Sequence, residues 1–109
     1  MARIPGSQSV GSASSTTLLD LYTVPVGVIA TAPRLLLTNN NSASNTVTVS
    51  INNGTTSRVI ARRNIAGGVG KSWIVDELRT QDLNTGYKVQ IQLTNATDII
   101  YHLSVSEVS

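Results

Sequence analysis

The string Gly68-Val69-Gly70-Lys71-Ser72 is the nearest this chain comes to nucleotide chemistry. In a phosphate-cradling loop, backbone amides and a lysine hold the phosphates and a hydroxyl reaches magnesium. That pattern needs a glycine five residues before Gly70, where Ile65 stands, and a helix after the loop, where Trp73-Ile74-Val75 reads as strand. The segment therefore reads as a hairpin loop. His102 is the one histidine, so any Ser-His-Asp arrangement would have to use it. It alternates with apolar neighbours, which suits a partly buried or interfacial position, and geometry rather than presence makes a catalyst. Asp76 and Glu77 are adjacent; on a strand they point to opposite faces and cannot share one water or sugar. Asp20, Asp82 and Asp98 fall at strand ends and read as turn residues. No catalytic residue, cofactor site or metal site is expected.

Arg58, Arg62 and Arg63, with Lys71 nearby, form the basic concentration of the chain. If the strand alternates, Arg58, Ile60 and Arg62 share a face; it reads as a contact with a protein partner or as a plain solvated face, with Arg58, Arg62 and Arg63 as the contact candidates. Nucleic acid is disfavoured: readers of single strands combine a basic groove with several stacking aromatics, and Trp73, Tyr22, Tyr87 and Tyr101 are scattered.

The elements that must position these residues are strands. Of 109 residues, 40% are hydrophobic and only 13% are charged, with Ser, Thr and Asn filling the polar places. The usual charged share is about a quarter, and β-branched residues with Asn, Ser and Gly suit short strands and turns. The length fits one domain. Eight basic and six acidic residues leave a formal charge of only +2, so no polycation is present. Without cysteine, neither a disulfide framework nor a thiolate metal site can be built. Residues Met1 to Ser7 hold no apolar signal region, and no run approaches the roughly eighteen apolar residues of a membrane helix. A protein made in the cytoplasm and kept off membranes is expected. The sequons at Asn40, Asn53 and Asn95 read as loop composition.

Seven strands are predicted within residues 18–109, after a polar, flexible N-terminal arm over 1–17 that has too few apolar residues to offset its ordering entropy. The strands run Leu18 to Val24, Val28 to Thr38, Thr46 to Asn52, Arg58 to Arg62, Ser72 to Asp76, Tyr87 to Leu93 and Ile99 to Val108. Pro33 requires an edge or a bulge. The run Leu35-Leu36-Leu37 predicts a strand covered on both faces. Asn53-Gly54 predicts a hairpin joining the third and fourth strands. Ile99, Tyr101, Leu103 and Val105 should share one face of the last strand, and Ile100, His102, Ser104 and Ser106 the other. Arg79-Thr80-Gln81 allows one helical turn. Tyr101, Leu37 and Val49 are expected in the core. The fold is then all-β: a single, small, mainly antiparallel β-sandwich.

The order Leu21-Tyr22-Thr23-Val24-Pro25-Val26-Gly27, Leu36-Leu37-Thr38-Asn39 with its Ser/Asn-rich turn, and Thr46-Val47-Thr48-Val49-Ser50-Ile51 resembles small virion proteins of tailed bacteriophages. In those chains a late leucine precedes a Gly-Asp turn; here Leu83 or Leu78 precedes Asn84-Thr85-Gly86-Tyr87, with Tyr in place of Asp. The resemblance implies a non-catalytic structural subunit of the virion, as head decoration or cement or as a collar, neck or tail part. Its partners would be other virion proteins and copies of itself, with no small-molecule substrate. A reading from a different class is a carbohydrate- or host-ligand-binding sandwich that offers Trp73 and a tyrosine as a platform.

Overall fold

The structure is a computed structural model that describes residues 3–39, 41–68 and 71–108. Eight strands occur among them: β1 (Arg3–Ala13), β2 (Leu19–Thr23), β3 (Ile29–Asn39), β4 (Asn45–Asn52), β5 (Ser57–Ile65), β6 (Lys71–Ile74), β7 (Lys88–Leu93) and β8 (Ile99–Val108). One helical turn, α1 (Asp76–Arg79), lies between β6 and β7. Sheet A has the order β1-β8-β3-β6 and sheet B the order β2-β7-β4-β5, with every pairing antiparallel. Two four-stranded sheets connected in this order make the eight-stranded jelly roll, a double Greek key.

The inward residues follow from alternation. Leu35, Leu37, Trp73, Ile99, Leu103 and Val105 of sheet A face Val47, Val49, Ile51, Val89, Ile91 and Leu93 of sheet B, all of them buried. Leu37 and Val49 are fully buried and Tyr101 packs against the core half-buried, as their sequence context predicts. Pro33 lies where the β3–β8 register shifts between Thr31 and Arg34, beyond the reach of β6, so its missing N–H breaks no ladder bond of a continuous sheet. The β4–β5 hairpin turns at Asn53 to Thr56, where Asn53 Oδ1 accepts from the backbone N–H of Thr55 and Thr56 and Gly54 takes a φ of 101°.

Three local expectations are corrected. Residues 1–17 were expected as an arm, but Arg3–Ala13 form β1, registered against β8 from Ala13↔Ile99 to Arg3↔Val108. Ladder hydrogen bonds take the place of the missing apolar side chains. The leucine run is covered on one face only: Leu35 and Leu37 point inward, while Leu36 points outward and stays 38% exposed, uncovered by the described residues. The helical turn begins three residues earlier than expected. Asp76 and Glu77 stand in its first turn and Arg79 in its last, the charges that favour each helix end, and buried Leu78 anchors it.

Two asparagines hold the loops at one end of the sandwich. Asn39 Nδ2 donates to the carbonyls of Ala43, Ile65 and Ala66, and its Oδ1 accepts the Asn41 N–H. Asn45 Nδ2 donates to the carbonyls of Asn95 and Thr97, and its Oδ1 accepts the Asn95 N–H. Both side chains are fully buried. Gly67 lies so close to the backbone of Ser42 and Ala43 that a Cβ there would collide with the Ser42 carbonyl, which only glycine avoids.

Candidate functional site: an apolar row on the outer face of sheet A

Strand pairing sets side chains that face outward side by side. On sheet A, Val10 of β1 opposes His102 of β8, His102 opposes Leu36 of β3, and Leu36 opposes Ile74 of β6. One row therefore crosses all four strands and is apolar except for His102. Val10 is 62% exposed, Ile74 53% and Leu36 38%. In the next row Ile100, 39% exposed, stands between Ser12 and Thr38. On the other side Arg34 opposes Ser104. Arg34, Leu36, Ile74, His102 and Ser104 line a shallow groove of about 270 Å³. None of the residues lining this groove is Asp or Glu. An exposed apolar band of this kind gains by being covered, at about 25 cal/mol per Å² removed from water, and such bands mark contact surfaces. Arg34 and His102 add hydrogen-bond donors at its rim.

The outer face of sheet B is built oppositely. Gln90 Nε2 donates to Asp20 Oδ1 at 2.6 Å, Ser57 Oγ donates to Gln90 Oε1 at 2.7 Å, and Asn52 Nδ2 donates to Ser57 Oγ at 3.0 Å. Lys88 Nζ lies 3.5 Å from Asp20 Oδ2. These groups bond one another across β2, β7, β4 and β5, so this polar rail has few donors or acceptors left for a partner.

The arginines expected as partner contacts sit on β5, the edge of sheet B. Arg58, Arg62 and Arg63 are all exposed, and the ion pairs among the described residues, Arg79–Asp76 and Lys88–Asp20, do not involve them. Arg58 and Arg62 do not share a face as alternation predicts. Ile60 is an extra residue where the register shifts, because Ala61 opposes Val49 while Val59 opposes Ser50. Arg58 and Arg63 consequently oppose the inward residues Ile51 and Val47, whereas Arg62 opposes outward Thr48. Charged side chains on an edge strand also discourage unwanted strand pairing.

The other chemistry-bearing residues are dispersed. His102 is exposed on sheet A, and Asp76 and Glu77 are exposed on α1 rather than on a strand. In the loop that resembles a phosphate cradle, Val69 and Gly70 lie outside the described residues, and Lys71 and Ser72 open a strand, not a helix. Trp73 is only 5% exposed and faces the core opposite Leu37, so it presents no platform to a sugar. No three His, Asp or Glu side chains cluster among the described residues, and no helix is long and apolar enough to cross a membrane.

Sequence reasoning missed Val10, because it lies in the stretch read as an arm, and Leu36 and Ile74, because each sits in an apolar run that reads as core. It also missed one inter-sheet contact. The Tyr22 hydroxyl donates to Glu107 Oε2 at 2.6 Å, joining β2 to β8 across the sandwich. Burial first, and the bonded Glu107 carboxylate second, raise the Tyr22 pKa well above the usual tyrosine value. Compared with known protein families and with curated proteins, the chain matches no family model and no curated protein.

Proposed function

We propose that this chain is a non-catalytic structural subunit of a tailed-phage particle, working by contact with neighbouring virion proteins as head decoration or cement or as a collar, neck or tail part. The observation that carries the reading is the apolar row Val10–His102–Leu36–Ile74, exposed on a molecule whose other broad face carries a run of polar residues bonded to one another. A catalytic protein gathers polar groups in a cleft; here the gathered groups are aliphatic, on an open surface, which is what association by burial requires. The resemblance of the Leu21–Gly27, Leu36–Asn39 and Thr46–Ile51 segments to small phage virion proteins supports the assignment to a particle. The jelly-roll order is compatible with it, since viral capsid domains use this architecture, as do lectins and cupins; a fold by itself leaves function open. Each contact would be modest, and many copies on one particle would add up through multivalency.

The test is binding of the purified protein to particles that lack it, followed by sedimentation and quantified per particle. Saturable binding that is lost in a Leu36→Asp/Ile74→Asp variant of normal melting temperature is the expected result. Absence of binding by the wild-type protein, or binding unaffected by the double substitution, overturns the reading.

A further inference from the structure

β1 is fastened differently from the other strands. From Ser9 onward the only side chain it buries is Ala13; Val10 and Ser12 point outward, and Gly11 has no side chain, its place being taken by the Tyr101 hydroxyl, 2.7 Å from where a Cβ would stand. Over Ser9–Ala13, where its side chains are described, the strand is held mainly by the backbone ladder to β8, and that ladder is interrupted by a register shift between Ile4 and Ser7. As an edge strand it has no second neighbour.

The connection to β2 is equally loose. Ser14 to Leu18 are all exposed, and a cleft of about 230 Å³ lined by Ala13, Thr17, Leu18 and Leu19 lies beneath them. The bonds in the segment are local or exposed: Thr17 N–H to Ser15 Oγ at 3.1 Å, Ser15 Oγ to Thr17 Oγ1 at 3.1 Å, and Gln92 Nε2 to the Thr16 carbonyl at 3.2 Å. Packed sheets lie about 10 Å apart, while five extended residues reach roughly 17 Å, so the segment is longer than the crossing from sheet A to sheet B demands.

We infer that β1 is an exchangeable strand, which leaves its own β8 and pairs in the same register with β8 of a second copy when copies are held close together. The exchanged and closed forms make the same β1–β8 contacts, so the balance between them is set by the Ser14–Leu18 segment and by concentration. A linker this short gives the chain's own strand an effective concentration in the millimolar range, which dilute protein cannot match and adjacent copies on a particle can. The exchange ties neighbours by a full strand ladder without using the apolar row, and it holds whatever particle, if any, the protein belongs to.

The chain has no cysteine, so the exchange can be trapped by a disulfide. Val10 and His102 are directly opposed in the β1–β8 register, and opposed antiparallel residues have Cα separations of about 4.5–5.5 Å, within the range a disulfide accepts. The doubly substituted Val10→Cys/His102→Cys chain should close as an oxidised monomer in dilute solution, which verifies the register. Singly substituted Val10→Cys and His102→Cys chains are then mixed, concentrated from micromolar towards millimolar, oxidised, and resolved on non-reducing gels. Exchange predicts a Val10→Cys/His102→Cys heterodimer that increases with concentration and exceeds, by about tenfold or more, the product of a Val10→Cys plus Leu36→Cys mixture; that control reports face-to-face collision, which brings unpaired residues of the row together indiscriminately. A heterodimer no more abundant than the control, while the doubly substituted chain closes readily, overturns the inference. So does failure of the doubly substituted chain to close, since β1 then does not hold this register.

Discussion

The outer faces of the two sheets come from the same construction, an alternating strand with its aliphatic residues turned inward, and they differ in what their outward residues do with their own valences. On sheet B the outward Asp20, Gln90, Asn52 and Ser57 bond one another, and Gln90 is buried to 5% exposure by its neighbours. On sheet A the outward Val10, Leu36, Ile74 and Ile100 have nothing to bond and remain open to water. A polar rail that has satisfied itself gains little from a partner, because any new hydrogen bond replaces an existing one. An apolar row gains in proportion to the area covered. On the reading proposed above, association belongs to the sheet A face, and the sheet B face has little to gain from a partner.

The comparison is broken most severely by placing charge on the apolar row. Leu36→Asp with Ile74→Asp should weaken particle binding by at least about thirtyfold, the effect of losing a contact worth roughly 2 kcal/mol, with little change in melting temperature because both residues are surface-exposed. Isothermal titration or quantitative sedimentation measures the first effect and calorimetry the second. An equal loss of binding and stability would mean that the row supports the fold.

Asn39→Ala should be nearly as costly, but to stability instead of binding. It strands the carbonyls of Ala43, Ile65 and Ala66 and the Asn41 N–H at a fully buried position, for a loss of about 2 kcal/mol in urea unfolding. The apolar row, on the outward face of β3 while the Asn39 side chain is buried, should still bind.

Tyr22→Phe should cost about 1–2 kcal/mol, because Glu107, 9% exposed, loses its hydroxyl donor. The pH dependence has a definite sign. The folded state raises the Tyr22 pKa, so the unfolded chain, whose tyrosine ionises near pH 10, releases this proton first. The contribution is therefore fully present below about pH 10 and declines above it. Unfolding free energies from pH 8 to 11 should fall for the wild-type protein, and the Tyr22→Phe variant should lack that share of the decline.

The smallest effects belong to sheet B and its edge. Arg58→Ala, Arg62→Ala, Arg63→Ala and Val59→Asp should each change stability by no more than about 0.5 kcal/mol and leave particle binding within error. A large binding loss in any of them would move the contact surface to β5 and reverse the comparison.

How much was legible beforehand depended on whether the signal was local. The alternation of Val47, Val49 and Ile51, the Asn53-Gly54 turn and the split of β8 between Ile99, Tyr101, Leu103, Val105 and their outward neighbours are properties of consecutive residues, and the structure has them as the sequence predicts. β1 was illegible because an edge strand held by backbone bonds needs no apolar pattern. The faces of Arg58 and Arg62 were misassigned because a bulge at Ile60 depends on the partner strand, β4.

By itself, then, the sequence determined an all-β sandwich, the inward set of aliphatic residues and the turns between strands, since period-two hydrophobicity and turn chemistry are written into neighbouring residues. Only the tertiary structure decided that Val10, His102, Leu36 and Ile74 form one row, that Trp73 lies inside while Leu36 does not, and that Tyr22 meets Glu107. Each of these depends on which strands become neighbours, and strand order is set by pairing and packing between segments far apart in the chain.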